Sequence, residues 1–270
     1  MDNDIKPFVE CKYSEKQIQH ERHSHSLYEL VYVCEGTVRF SIGDSCYDAG
    51  PHTSLFISKL EEHNLKIING FYRRFYILLS PSQLSKIIKE PKLKSVFISR
   101  PKGFCHAFDL SGVSSQTEAL MNAIYSEYLN PGAYSNNILS DLFEMFMVLC
   151  YRAKKEQFPL SSKKLSDVVY DVQYYIDRHF TEKISVDELA EQFYLSPSYL
   201  SHAFREWTGN SPKQYIMKSR IAYAKELLIT TDLSISDVAL RSGFYDTSNF
   251  IRYFKKETNT TPLRYRHNGQ

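Results

Sequence analysis

The sequence predicts an α+β chain in two parts, an N-terminal β-barrel and a C-terminal all-α domain made from two copies of one helical unit. Three observations carry this. Between Ser26 and Ser80 the apolar residues fall in short β-rich runs with no helical period. From Ser114 to Lys155 the apolar spacing becomes that of helices. From Ser185 to Tyr265 the chain repeats itself: FREWTGNSPKQY from Phe204 is answered by FKKETNTTPLRY from Phe254. A fixed-offset repeat means one supersecondary unit used twice. The expected layout is a barrel with an N-terminal arm over 1–110, a helical segment over 111–156, a linker over 157–164 and a helical domain over 165–270.

Residues 1 to about 22 read as an irregular or extended arm. YELVYV, TVRFSI, SLFIS, LKII and RFYILL read as strands split by Gly, Asp and Pro, with Gly43-Asp44 as a hairpin turn. Several short strands at this spacing suggest a small barrel or jelly roll. One constellation lies there: His23, His25 and Glu29, with His63 further on. If 23–29 is extended, the first three side chains point one way, because strands alternate faces. Two imidazoles and a carboxylate, joined by a third imidazole from another strand, form a donor set for Fe, Mn or Ni. The same groups serve equally as contacts to a small molecule or as supports of the fold. The reading adopted is a ligand site at His23, His25 and Glu29, with neither metal nor other cofactor. Aromatic walls with a few convergent polar groups suit small ligands, and Tyr28, Tyr32, Phe40 and Tyr47 are the candidate walls.

Residues 82–90 predict a short helix. A second runs from Ser114 to Asn130 with Leu120, Ile124 and Tyr128 on one face, and Pro131-Gly132 ends it. A third runs from Ser135 to Lys155 with Ile138, Leu142, Met145, Phe146 and Leu149 in a stripe. That stripe either packs on the barrel or joins two copies of the chain; a homodimer is the expectation. QFPLSSKK at 157–164 reads as a linker. Leu165 to Phe180 opens the next domain with Val168, Val172, Tyr175 and Ile176 facing inward.

Each repeat reads as helix, tight turn, helix. Ser185 with Glu188 is a capping box, and Ser234 with Asp237 is its weaker twin. Pro197 suits a first helical position after Ser196. Leu200, Ala203, Phe204 and Trp207 form the buried stripe of the helix that follows, matched by Phe250, Tyr253 and Phe254. The outward face carries Ser198, Tyr199, Ser201, His202 and Arg205 in the first copy. In the second it carries Thr247, Ser248, Asn249, Arg252, Lys255 and Lys256. A helix-turn-helix lays its second helix in the DNA major groove. Asn and Arg grip base edges with two hydrogen bonds, Ser and Thr reach either kind of base, and Lys a turn later meets phosphate.

RIAYAKELL, the run Ile235 to Ala239, GFYDTSNFIRYFKK and TPLRYR together resemble the DNA-binding domain of AraC/XylS-type transcriptional regulators over about the last hundred residues. Two residues depart from the family pattern: Tyr194 and Asn259 stand where it usually has Gly. The family's base-contacting positions fall on Ser198, Ser201 and His202, and on Thr247, Ser248, Asn249 and Arg252. The side chains are smaller in the first copy, so the second is expected to read more of the sequence. The trio at His23, His25 and Glu29 is similar in spacing to the first cupin motif, whereas Leu60-Glu61-Glu62 and Asn64 around His63 depart from the second. The resemblance implies a cupin-like barrel, a dimerisation helix and two half-sites on DNA.

Net charge is only +2 over 270 residues, but it is unevenly spread. Ser166 to Pro197 holds two basic and seven acidic residues, and Ser198 to the end holds eleven basic and six acidic. Positive charge gathers where phosphate would be met. The five cysteines form no C-x-x-C pair, as expected of reduced cytosolic thiols. MDNDIKPFVE has no basic end before an apolar run, so no signal peptide is read there, and LFEMFMVLC is too short for a bilayer. The expected function is a cytoplasmic, sequence-specific transcription regulator on double-stranded DNA, switched by a small molecule in the barrel, with a sugar or related polar compound as the candidate. RNA polymerase is a candidate partner, for an activator. No catalysis and no membrane are expected. The alternatives are a cupin-type metal-dependent enzyme fused to a DNA-binding domain, and a constitutive regulator whose barrel only dimerises.

Overall fold

In a computed structural model, residues 8, 10–15, 17, 20–101, 103–159 and 163–269 are described, and the chain divides into two units, Met1–Ser161 and Ser162–Gln270. Residues 160–162 of the expected linker lie outside the described residues.

The first unit is a seven-stranded antiparallel sheet with helices on it. Its strands are β1 (Glu10–Ser14), β2 (His20–His23), β3 (Tyr28–Ile42), β4 (Ser45–Ala49), β5 (Thr53–Ile57), β6 (His63–Leu79) and β7 (Ala107–Asp109). The order is β1-β6-β3-β5-β7, with β2 also on β6 and β4 also on β3. The arm read as irregular therefore contributes two strands, β1 and β2, both paired with β6. YELVYV and TVRFSI are halves of β3, and LKII and RFYILL are halves of β6. Each long strand bends at a glycine, Gly36 at φ +84° and Gly70 at φ +77°. The strands press together there: a Cβ on Gly36 would lie 3.0 Å from the Phe71 carbonyl oxygen, and one on Gly70 would lie 3.2 Å from Gly36 Cα.

The first half of β3 pairs with β5 and the end of β6, and its second half pairs with β4 and the start of β6. Register shifts between Val33 and Val38 exchange odd for even positions on the inner face. Val31 and Val33 then share a core with Val38, Phe40 and Ile42, closed by Leu55, Ile57, Leu65 and Tyr72.

The helix expected at 82–90 is two helices, α1 (Pro81–Ile87) and α2 (Pro91–Ile98), because Pro91 starts the second one after an extended Ile88. α3 (Ser114–Leu129) buries Thr117, Met121 and Ile124; Leu120 is half-buried, so the inner stripe lies one position along. α4 (Ser135–Ala153) buries Leu139, Phe143, Phe146, Met147 and Cys150. Phe146 meets the Tyr32 ring edge-on at 6.1 Å. It belongs to this unit's own core and not to the outward stripe assigned to it. Ile138 and Met145 do face out, at 40% and 56% exposure, beside half-buried Leu142 and Leu149. Burial pushes the Cys11 thiol up to about 12, and all five cysteines are free.

The second unit is helical: α5 (Lys163–His179), α6 (Val186–Gln192), α7 (Pro197–Thr208), α8 (Pro212–Thr230), α9 (Ile235–Arg241), α10 (Thr247–Thr258) and α11 (Pro262–Gly269). α5 buries Val169, Val172, Gln173 and Ile176, with Val168 and Tyr175 half-buried. The repeat holds to the level of single contacts. Phe204 meets Tyr215 at 5.3 Å and 77°, and Phe254 meets Tyr265 at 5.4 Å and 79°. Thr208 Oγ1 donates to Phe204 O at 2.7 Å, and Thr258 Oγ1 to Phe254 O at 2.7 Å. Gly209 and Asn259 end the two helices in the left-handed region, at φ +74° and +57°. Trp207, expected in the core, is half-buried.

Candidate nucleic-acid interface and ligand cavity

α7 and α10 are seated alike. Ser196 caps α7 by accepting from Tyr199 N, and Asp246 caps α10 by accepting from Asn249 N at 2.6 Å. Leu200, Ala203 and Phe204 fix one helix, and Phe250 and Phe254 the other. Ser198, Tyr199, His202 and Arg205 are then exposed, with Ser201 half-buried. Ser248, Asn249, Arg252, Lys255 and Lys256 are exposed on α10, with Thr247 half-buried. On α10 the Arg252 guanidinium donates to Asn249 Oδ1 at 2.8 Å, which pre-orders the two side chains best suited to base edges. On α7 exposed Glu206 lies 3.8 Å from His202 Nδ1 and sets a negative charge beside that face. α8 joins the two motifs with 19 residues, a length of about 28 Å at 1.5 Å per residue.

In the first unit a cavity of about 760 Å³ opens between β1, β3 and β6. His23, His25, Glu29 and His63 all line it. His25 Nε2 lies 3.1 Å and His63 Nε2 3.3 Å from the same Glu29 oxygen. Their Nδ1 atoms face backbone carbonyls, Leu27 O at 3.0 Å and Glu61 O at 2.9 Å. Burial opposes ionisation of Glu29, but the hydrogen bonds and charges of His25 and His63 prevail and hold its carboxyl well below the usual range. Burial likewise opposes the charged form of His63, and Glu29 overrides it, raising the imidazole above its ordinary 6.5. A nitrogen from each of His23, His25 and His63 lies within 4.8 Å of the others, so among the described residues these rings form a group that could hold a metal ion.

Residues 8–140 match the AraC-like ligand binding domain family, and residues 189–268 match a helix-turn-helix domain family. The chain belongs to the AraC/XylS-type transcriptional regulators. It is 28% identical over 257 residues to the HTH-type transcriptional regulator YfiF of Bacillus subtilis, covering 90% of this chain and 78% of that one. It is 25% identical over 255 residues to the HTH-type transcriptional activator RhaS of Escherichia coli, covering 91% and 87%. Among solved structures, ToxT of Vibrio cholerae shares the fold at TM-score 0.60 and 15% identity, covering 96% of this chain and 97% of that one. A second ToxT structure, with unsaturated fatty acid bound, aligns at TM-score 0.58 and 15% identity over 95% of this chain and 93% of its own.

This AraC-type regulator thus carries a ligand-binding domain and a helix-turn-helix DNA-binding domain, and no helix among the described residues is long and apolar enough to cross a membrane. The trio at the cavity converges for a different reason from the one expected. β2 ends at His23 and β3 begins at Tyr28, so His25 sits in the connection between them and the three side chains do not share one strand face. Three of the four expected aromatic walls of the regulator face elsewhere. Tyr28 packs on Phe97, and the Tyr32 hydroxyl lies 3.1 Å from Thr117 Oγ1 under α3. Even positions before Gly36 point away from the cavity. Tyr47 is turned to His106, with its hydroxyl 2.9 Å from Nδ1. Phe40 does line the cavity, with Tyr76. Sequence reasoning missed Arg74 and Lys12, which also line it; alternation from Tyr72 through Arg74 to Tyr76 was the signal available.

Proposed function

We propose that α7 and α10 enter successive major grooves on one face of duplex DNA, with α10 reading most of the sequence. The carrying observation is the matched pair of exposed recognition faces joined by α8. Asn249 and Arg252 take base edges, Thr247 and Ser248 assist, and Lys255 and Lys256 take phosphate. Ser198, Tyr199, Ser201, His202 and Arg205 of α7 supply mainly contacts to the DNA backbone, in keeping with the short side chains at Ser198 and Ser201 and the acid at Glu206. A small polar effector enters the β1–β3–β6 cavity, meets His23, His25 and Glu29, and shifts DNA affinity in a cytoplasmic protein without turnover. The outward stripe of α4 pairs two copies, giving two half-sites, and RNA polymerase is the partner at the promoter. Selection of bound genomic fragments followed by footprinting tests this: protection of two adjacent major-groove tracts per chain is the expected result. A protein that protects no DNA, or only one groove per chain, removes it.

One observation favours a second reading. Three imidazole nitrogens within 4.8 Å, with Glu29 against two of the rings, form the donor set of a metal-holding cupin. Elemental analysis separates the two: about one Fe, Mn or Ni per chain, lost in His25→Ala, establishes the metal site.

A further inference from the structure

The cavity in the sheet holds a cation with no paired anion among the described residues. Arg74 lies on β6 between Tyr72 and Tyr76, and alternation turns all three inward while Arg73 turns out. Arg74 is only 6% exposed and lines the cavity. Its guanidinium carbon stands 4.7 Å from the Tyr72 ring centroid and 5.8 Å from that of Tyr76. Nη1 is buried with no hydrogen-bond acceptor among the described residues. The acids around the cavity are already engaged: Glu10 pairs with Lys12, Glu15 with Arg73, and Glu29 with His25 and His63.

A buried charge is costly unless it is paired and hydrogen-bonded, and two aromatic faces offset only part of that cost. A guanidinium fork matches an oxyanion with two parallel hydrogen bonds. A cavity of about 760 Å³ has room for a metabolite beside it. Asn64 offers a partner for hydroxyl groups, and Phe40 and Tyr76 offer apolar faces. We propose that Arg74 anchors the oxyanion of the effector, so that this regulator answers to a hydroxylated anion, a sugar acid or sugar phosphate, and not to a neutral sugar. The proposal rests on the reading of this cavity as the effector site and adds the ligand's charge to it.

The test uses the full chain, with calorimetric titration and thermal melting against galacturonate, glucose 6-phosphate, galactose and glucose. At least one acid or phosphate is expected to bind saturably, with its neutral counterpart about tenfold weaker or more. Acid against phosphate binding tells which oxyanion the site takes. Arg74→Met should remove the anion's advantage, and Arg74→Lys, which keeps charge but not the fork, should fall between. Without ligand, Arg74→Met should melt no lower than wild type, since it removes an unneutralised buried charge. If a neutral sugar binds as tightly as its acid and Arg74→Met does not change this, the cavity is still the sensor but the anion anchor is wrong. If no anion of the set binds, the proposed ligand class is wrong. If Arg74→Met and Arg74→Lys both melt well below wild type, Arg74 is a structural cation and the proposal falls.

Discussion

Glu29 is the acid on which the polar chemistry of the first unit converges. Its carboxyl titrates below the ordinary 4.5, so its stabilising share is present above that value and is lost as pH falls through the lowered one. His63 titrates above 6.5, so its share is complete below 6.5 and is lost as pH rises through the raised value. The pair therefore stabilises the fold most between 4.5 and 6.5. Glu29→Gln is expected to cost about 2 kcal/mol near pH ~6 and distinctly less near pH ~8.5. Denaturant unfolding of both proteins at the two pH values checks this, and an equal difference at both would place the stabilisation elsewhere. On the DNA face, Arg252→Ala should cost about 1–3 kcal/mol on the specific site and relax one base preference. Lys256→Ala should weaken all sequences alike and lower the salt slope by about 1. Because Arg252 donates to Asn249 in the free protein, Asn249→Ala and Arg252→Ala should be non-additive in the same binding assay.

At the scale of elements, the two helix-turn-helix turns carry different residues at equivalent places. Gly243 sits at φ +88°, and a Cβ there would lie 2.8 Å from Thr181 Cα and from Thr181 O. Tyr194 takes φ +56° at 97% exposure, with solvent where Gly243 has backbone. Gly243→Ala should destabilise by about 2 kcal/mol or more, while Tyr194→Gly should be neutral or stabilising by up to ~1 kcal/mol through relief of the left-handed strain. Thermal melting of the two variants measures both signs. α4 supplies the contrasting case of one helix with two apolar faces. Phe143, Phe146 and Met147 face the core, and Ile138 and Met145 face out. Met145→Asp should halve the mass in solution, read by light scattering, without lowering the melting temperature. Phe146→Asp should unfold the first unit, since burying an unpaired carboxylate costs several kcal/mol. A Met145→Asp protein of unchanged mass would take α4 out of any dimer.

At the scale of the molecule, two units of different architecture lie on one chain, one around a cavity and one presenting helices. An effector can move the DNA-bound population only by its differential affinity for the two states. Coupling of about 1–3 kcal/mol is expected, and it must be reciprocal: operator DNA should change effector affinity by the factor by which effector changes operator affinity. Titrating each in the presence and absence of the other checks this. A binder of the cavity that leaves operator affinity unchanged would make the DNA-binding unit constitutive.

The DNA-binding unit was legible residue by residue because its information is local. Caps, turn residues and a stripe at helical spacing repeat at an offset of about fifty, and a helix places side chains from spacing alone. The family resemblance and the outward faces of α7 and α10 followed from that. The strands of the first unit were legible as runs, but not their fusion into β3 and β6, because the bends at Gly36 and Gly70 exist only where the two strands cross. That crossing exchanged odd for even positions, so Tyr28 and Tyr32 went under the helices while Phe40 stayed inside. The stripe of α4 could not be split by spacing, because Met145 and Phe146 are adjacent in sequence and only packing against Tyr32 decides which one turns in. By itself the sequence determined the chemistry of the trio at His23, His25 and Glu29. Only the tertiary structure brought His63 to it and left Arg74 buried beside the same cavity with no paired carboxylate among the described residues, because His63 lies 34 positions beyond Glu29 and Arg74 lies 45 positions beyond it.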